Sequence, residues 1–488
     1  MGNKAIERPI PYAGEVIRLP ETADSHPFGG TLHQVRPLDL SEYGYVEEEY
    51  LLSGKANIYT WEDFQNYADV LRENAAYTTR FIIRKPADPA RFSGHVVVEM
   101  LNWAREYDRS IALWGNCYKT LLREGDAWVG VTIKAKAINT LKRFDPERYG
   151  RLSYENPLPP EERNYRPQSN TYHHDDTDPN EENGLTWDMY SQLGMLFKED
   201  NPRNPLHGYD VKAVIGTGAT GGDLATYCAA VAPVSCDPKG GKIYDGFLIF
   251  MTGAPGNVNQ YEEKLHHMDP RCKFYGKVPL IRVYTCKDML GGGFHPDWAC
   301  MQRRADSDEA GRYYRSYEVA GTGLFLKYTY YMEPCHEDVE KAGLAITNYR
   351  TGGAWTEEDL ATFEFPTRYV LSAALVNLKK WIVDGVAPPQ TLPFETVNVY
   401  PETQLKVDEL GNVCGGLRLP YLRVPAYHFQ MDANAYPLEK EILEKLYANH
   451  EDYVEKVRKA AADCVTEQIL LPEDAEEIVK EAEALTFI

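Results

Sequence analysis

The sequence predicts an α/β protein, with a mostly parallel central sheet carrying helices on both faces, an inserted segment and a C-terminal helical extension. Three observations support this. Short apolar runs rich in Val and Ile recur, among them residues 95–101 (HVVVEML) and 211–215 (VKAVI); strands buried on both faces read this way. Helical stretches alternate with these runs, as a doubly covered sheet requires. Finally, residues 211–215 lead into glycines at 216, 218, 221 and 222, and a helical stretch starts at Asp223.

Taken in order, residues 1–80 read as a strand-bearing lead-in. Residues 45–53 (YVEEEYLLS) alternate as a strand does, and Gly54 is placed to end it. The core is expected over residues 81–390. Residues 80–84 (RFIIR) are a strand stopped by Pro86 and Pro89. Residues 95–101 are a buried central strand with Asn102, Trp103 and Ala104 at its carboxyl end; ligands bind outside that end in open α/β sheets. Residues 111–123 read as a helix stopped at Gly125, and residues 127–133 (AWVGVTI) as the next buried strand. Periodicity weakens over about 134–205, which holds several prolines, the run HHDDTDPNEENG and one helical segment, 187–197. It reads as an insertion beside the sheet, either a lid or a solvated excursion. Strands follow at 244–251, 278–285 and 315–320, then a helix at 367–383 with Gly385 as its stop. Residues 391–488 are an extension with two short strands and terminal helices, Pro472 suiting the first turn of the last.

The chain has 488 residues, 43% of them hydrophobic, which is globular and large enough for a sizeable core. A net charge of −21 argues against nucleic acid and anionic membrane as partners. No apolar run is long enough to span a bilayer. The first residues lack the apolar segment of a secretory leader. Nine cysteines are scattered without CxxC pairs, the pattern of reduced thiols rather than a disulfide framework or zinc ribbon. The expectation is a cytoplasmic protein with a small-molecule substrate or ligand, no nucleic-acid or membrane partner, no cofactor and no metal. The assembly state stays open, a homodimer among the options. The 34 tyrosines fit a wide aromatic pocket or ordinary packing.

Strand, tight Gly-rich bend and helix form a nucleophile elbow, which lifts one reactive side chain at the rim of a sheet. Small residues are needed because strand and helix cross closely. Yet residues 216–222 (GTGATGG) contain neither Ser nor Cys. The glycines at 216, 218 and 221 also match a dinucleotide-binding spacing in bare form, but no acidic residue ends a following strand at the required distance.

Beyond this bend, the stretches YVEEEYLLSGKANIY (45–59), YTTRFIIRKPADPARFSGHVVVEMLN (77–102), DPERYGRL (145–152), YEVAGT (317–322), WIVDGVAPP (381–389) and DELGNVCGGLRLPYLRVP (408–425) resemble a broad bacterial and fungal family, the alpha/beta hydrolase domain. The resemblance covers nearly the whole chain and implies the α/β-hydrolase fold. It is specific for the family and not for a reaction, since many members are known only as esterases or hydrolases. It implies an elbow of the form G-x-S-Q-[ST]-G; Thr220, Gly221, Leu224, Thr226 and Tyr227 fit that frame, and the nucleophilic Ser falls on Gly218. The family's acid strand ends in an acidic residue followed two places on by Asp; here these are Cys286 and Asp288. Its base follows the AGT of the last strand; here Ala320-Gly321-Thr322 leads to Gly323 and Leu324, without His.

Three accounts of the missing hydroxyl follow. The triad is lost at Gly218 and the pocket reused; or the register slips, so that Ala219 stands for an inactivated Ser or Thr220 is the nucleophile; or the chemistry lies elsewhere. Thr suits a strained elbow poorly because of its β-branch. Asp288 is the candidate acid, or a helix-capping group. His336 and His295 are the leading candidate bases, with His266 and His267 behind them. Asp306 and Asp308 read as loop-capping groups. The turn at Asn102 and Trp103 would help form an oxyanion hole from backbone N–H groups. The adjacent His residues in the HHDD run at 173–176 point to opposite sides when extended, so they are not expected to chelate a metal together. The function expected is an enzyme acting on an ester, lactone or carbonyl group of a lipophilic or aromatic small molecule, with the usual serine absent. The alternatives are a non-catalytic ligand-binding relative, or a lyase or isomerase reusing the oxyanion hole.

Overall fold

In this computed structural model the Val- and Ile-rich runs meet in a mixed sheet. The structure describes residues 7–62, 67–163, 178–219, 222–251, 254–262, 265, 269–290, 303–323, 327–348, 352–361, 364–399, 403–429 and 434–486. The chain folds as two compact units. The first comprises Met1–Leu280, Glu309–Tyr313 and Tyr328–Ile346; the second comprises Ile281–Asp308, Tyr314–Lys327 and Thr347–Ile488.

The strands of the first unit are β1 (Val16–Leu19), β2 (Tyr45–Thr60), β3 (Asp69–Pro86), β4 (His95–Met100), β5 (Ala127–Val131), β6 (Ala213–Ala219) and β7 (Gly246–Phe250). They lie in the order β7-β6-β4-β5-β3-β2-β1. β5, β4, β6 and β7 run parallel, whereas β1, β2, β3 and β5 pair antiparallel. β4 and β6 are central, and Val96, Val97, Val98, Val214 and Ile215 are fully buried between the faces. That burial is why these strands read as continuous apolar runs.

Gly54 does not end its strand, which is a correction to the sequence reading. β2 continues to Thr60 and pairs with β3 along nearly its whole length. The glycine marks a close approach instead. A Cβ there would lie 2.6 Å from the Gln192 side-chain oxygen and 2.9 Å from the Tyr77 hydroxyl. Gly125 does end a helix. It has φ +80°, and a Cβ would fall 2.2 Å from the Arg91 carbonyl oxygen.

The helices of this unit include α1 (Trp114–Glu124), α2 (Ala135–Phe144), α3 (Thr186–Leu196), α4 (Asp223–Thr226, continued by a π-helical turn over Tyr227–Val231) and the short α5 (His336–Lys341). Sequence reading missed α2. Its buried face, Ala137, Ile138, Leu141 and Phe144, follows helical spacing, but the lysines and arginine between them hid the stripe. Arg80 and Arg84 share one face of β3, yet both are buried. Arg80 pairs with Glu49 at 3.0 Å and Asp108 at 3.1 Å, and Arg84 pairs with Glu47 at 2.6 Å. Buried charges persist only when paired in this way.

In the second unit β8 (Leu280–Thr285, from Ile281 onward) and β9 (Arg315–Val319) pair in parallel, from Ile281 with Arg315 to Thr285 with Val319. Two small antiparallel pairs follow, Thr396–Asn398 with Gln404–Leu405 and Tyr427–Phe429 with Ala435–Pro437. The long helices are α6 (Arg368–Asp384), closed by Gly385 at φ 69°, then α7 (His450–Thr466) and α8 (Pro472–Ala484). Tyr369 of α6 donates to Glu477 of α8 at 2.9 Å.

Candidate functional site

β6 and α4 form the expected strand, bend and helix, but the bend comes later than the family frame places it. β6 runs through Ala219, with Gly218 in register between Met100 of β4 and Ile249 of β7. Neither Gly218 nor Ala219 has a positive φ. Both are ordinary strand positions without the strained backbone of an elbow apex. β6 ends at Ala219 and α4 starts at Asp223. Thr220 and Gly221 lie outside the described residues. Gly222 has φ 78° and ψ −3°, and a Cβ there would lie 2.7 Å from the Ala254 carbonyl oxygen. A glycine is therefore required at 222. At Gly218 a Cβ would meet Leu224 and Met100 at 3.4 and 3.5 Å, ordinary contact distances, so a small side chain fits there.

The turn after β4 is built from a buried carboxylate. Glu99 accepts from the Ser110 hydroxyl at 2.9 Å, from the amides of Ala112, Leu113 and Trp114 at 2.9, 3.2 and 3.1 Å, and from the Trp128 indole at 2.9 Å. These amides are donors that the start of α1 cannot satisfy within its own helix. One side chain thus anchors both the loop from 102 to 113 and the helix that follows it. Within that loop Asn102 and Arg109 bridge through their backbones at 2.8 and 2.9 Å. The Arg109 guanidinium donates to the Asn102 side-chain oxygen and pairs with Glu333 at 3.3 Å. Tyr107 donates to Glu333 at 2.7 Å. Asn102 in turn donates to the Ala219 carbonyl oxygen at 3.4 Å, tying the turn to the last residue of β6.

Between these two turns lies a shallow cleft whose enclosed space has room for about one water molecule. It is lined by Met100 to Trp103, Ile133, Gly218, Ala219, Asp223 and Leu224. It lies where the carboxyl ends of β4 and β6 meet, the position at which parallel sheets bind ligands. Lys134, just past β5, reaches the Asp223 carboxylate at 2.7 Å. The Trp103 indole donates to the same carboxylate at 3.0 Å. The Lys134 ammonium also lies 5.6 Å from the ring centres of both Trp103 and Trp187. Sequence reading passed over Lys134 and Asp223. The usable signal was position, since each is among the first residues beyond the carboxyl end of a buried strand. Chemically the cleft offers a carboxylate able to take a proton and an ammonium able to stabilise negative charge on oxygen.

The other candidates are placed as follows. Asp288 belongs to the second unit and caps the short helix Cys286–Met289. It accepts from the Thr285 amide at 2.7 Å and the Thr285 hydroxyl at 2.9 Å. Burial outweighs those hydrogen bonds and pushes the Asp288 carboxyl up to about 6. Cys286 is buried beside it, with its amide donating to the Thr322 hydroxyl at 3.2 Å and its thiol pushed up to about 11 by burial. Asp306 accepts from the Ser316 amide at 3.0 Å, and Asp308 pairs with Arg315 at 2.6 Å. In the first unit, His336 opens α5, is exposed, and hydrogen-bonds the Tyr330 hydroxyl at 3.1 Å. Among the described residues no histidine lines the cleft. His295, His266, His267 and the HHDD run lie outside the described residues.

No helix among the described residues is long and apolar enough to cross a membrane. The parallel central strands, the helices around them and a cleft at the strand ends define an α/β-hydrolase-type protein. The alpha/beta hydrolase domain family matches residues 7–480, and the chain belongs to that family. No protein of curated function is significantly similar in sequence. Among solved structures the chain is similar to a fungal esterase from Rhizomucor miehei at 10% identity and a TM-score of 0.31, covering 70% of this chain and 85% of that one. It is also similar to esterase 2 of Thermogutta terrifontis at 12% identity and TM-score 0.24 (49% and 76% covered), and to a glucuronoyl esterase from Solibacter usitatus at 10% and 0.26 (61% and 80%). With scores this low, the assignment rests on the family match and on the strand order.

Proposed function

We propose that the chain is an α/β-hydrolase-family enzyme acting on an ester, lactone or carbonyl group of an apolar small molecule, without a serine nucleophile. The single observation behind this is the cleft between Asn102–Trp103 and Gly218–Ala219, with the Lys134–Asp223 pair at its edge. In this reading Gly218 and Ala219 are wall residues. Thr220 is the one hydroxyl-bearing residue of positions 220–222, and in this reading it is the candidate nucleophile, although its β-branch suits a strained bend poorly. Asp223 is the group available to take a proton, and Lys134 the group available to stabilise an oxyanion. The lining mixes Met100, Leu101, Ile133 and Leu224 with Asn102, Trp103 and Asp223, which suits a group that joins a polar carbonyl to an apolar chain.

One observation favours the non-catalytic alternative. The Asn102 and Trp103 side-chain donors already serve the Ala219 carbonyl oxygen and Asp223. With these donors engaged, the site would hold a ligand by packing contacts without activating a carbonyl.

The test is turnover of p-nitrophenyl butyrate and dihydrocoumarin by the full chain and by Gly218→Leu, which fills the cleft. The enzyme reading expects turnover that Gly218→Leu abolishes while the fold is retained by circular dichroism. Binding without turnover supports the ligand-binding alternative. Turnover unaffected by Gly218→Leu places the chemistry elsewhere and overturns the proposal.

A further inference from the structure

A second cluster in the first unit shares no residue with the cleft. The His26 ring nitrogen Nε2 lies 3.1 Å from both carboxylate oxygens of Asp338. The His33 ring stacks on the His26 ring, with centroids 3.5 Å apart and planes 8° from parallel. One ligand atom from each of the three residues lies within 4.8 Å of the others. Asp338 is buried and both histidines are half-buried. The edge of the Phe144 ring meets the His26 ring with a centroid distance of 5.4 Å, and walls one side.

A hydrogen-bonded His26–Asp338 pair accounts for two of the three groups. It leaves His33 unexplained, since among the described residues the His33 ring nitrogens have no hydrogen-bond partner. A neutral imidazole presents a lone pair on one nitrogen, which is the ligand form of histidine.

We propose that His26, His33 and Asp338 bind one divalent transition-metal ion, zinc fitting the donor set best, with water completing the coordination. Two imidazoles and a carboxylate with an open position suit zinc, whereas calcium and magnesium prefer all-oxygen ligand sets. Tetrahedral ligands about 2.1 Å from zinc lie roughly 3.4 Å apart. From the present arrangement the ligand atoms need to close by up to about 1.4 Å, and one ring has to tilt out of the parallel stack so that the ion lies in the plane of both imidazoles. Their backbones are already joined, with the Cys335 amide donating to the His33 carbonyl oxygen at 2.8 Å. The ion would clasp the segment from 26 to 33 onto α5, more than three hundred residues further along the chain. This inference is independent of the reading of the cleft.

The experiment titrates Zn²⁺ into the chelator-stripped full chain by calorimetry, with metal content read by mass spectrometry. The comparison variants are His33→Ala, Asp338→Asn, and a control carrying His173→Ala and His174→Ala. The expected result is one zinc per chain, with affinity weakened at least about tenfold by His33→Ala and by Asp338→Asn and unchanged in the control. In the unaltered chain, zinc is also expected to protect His26 and His33 from diethyl pyrocarbonate, read by peptide mass spectrometry; this readout survives if the variants misfold. The absence of zinc binding overturns the proposal. So does binding lost only in the control, or equal modification of His26 and His33 with and without zinc.

Discussion

Lys134 Nζ lies 2.7 Å from Asp223 Oδ1, while the Trp103 indole donates to Oδ2 of the same carboxylate at 3.0 Å. Three segments that follow three adjacent parallel strands, β5, β6 and β4, thus converge on one carboxylate. Asp223 is the first helical residue after the glycine bend. Its place there follows from the strand-bend-helix layout, and its two partners give it a fixed orientation.

If this carboxylate serves the chemistry, Asp223→Asn and Lys134→Met should each lower kcat for an activated ester by roughly 100-fold or more. Both side chains are largely buried, so each variant should also lower the melting temperature by leaving its partner unpaired. Steady-state kinetics beside thermal denaturation checks this. Unchanged kcat in both variants would remove the pair from the mechanism.

Glu99 makes a prediction about stability. Five donors converge on one buried carboxylate, and Glu99→Leu leaves the start of α1 and the Trp128 indole without their acceptor. Buried donors without partners are costly, so unfolding in urea should show a loss of about 3 kcal/mol or more. A loss under about 1 kcal/mol would mean that water takes over the role of the carboxylate.

Glu182 makes a prediction about pH. It is fully buried and accepts from the Gly184 amide at 2.7 Å, and burial pushes its carboxyl from the ordinary 4.5 up to about 7. A raised carboxyl favours the folded state most when protonated. Its contribution is therefore complete below pH 4.5 and is lost as pH rises through about 7. Glu182→Gln removes this dependence. Relative to the variant, the parent chain should lose about 3 kcal/mol of stability between pH 4 and pH 8. Denaturant unfolding of both proteins across that range measures it, and parallel pH profiles would contradict it.

Much of the sheet was legible in the sequence because apolar β-branched runs can hardly pack anywhere else. The strands 95–100, 127–131, 246–250 and 315–319 lie within or at the edges of their predicted runs. What escaped was set by tertiary packing. Gly54 looked like a stop, since sequence cannot show that Gln192 and Tyr77 crowd it. α2 was hidden by its own basic face. Strand β6 extends through Ala219 because its glycines tolerate close neighbours: a Cβ at Gly216 would lie 2.6 Å from the Phe247 ring. That extension moves the bend beyond the two positions at which a serine was sought. The Lys134–Asp223 pair was illegible because its members lie 89 positions apart in sequence, and only the parallel order of β5, β4 and β6 brings them together.

The central claim is that carbonyl chemistry in this chain uses Thr220 in place of a serine. The measurement that tests it most directly compares p-nitrophenyl butyrate turnover by the parent chain, Thr220→Ala and Thr220→Ser. Loss of at least about 100-fold in kcat with Thr220→Ala, and recovery with Thr220→Ser, is the predicted result. Undiminished turnover by Thr220→Ala would contradict it.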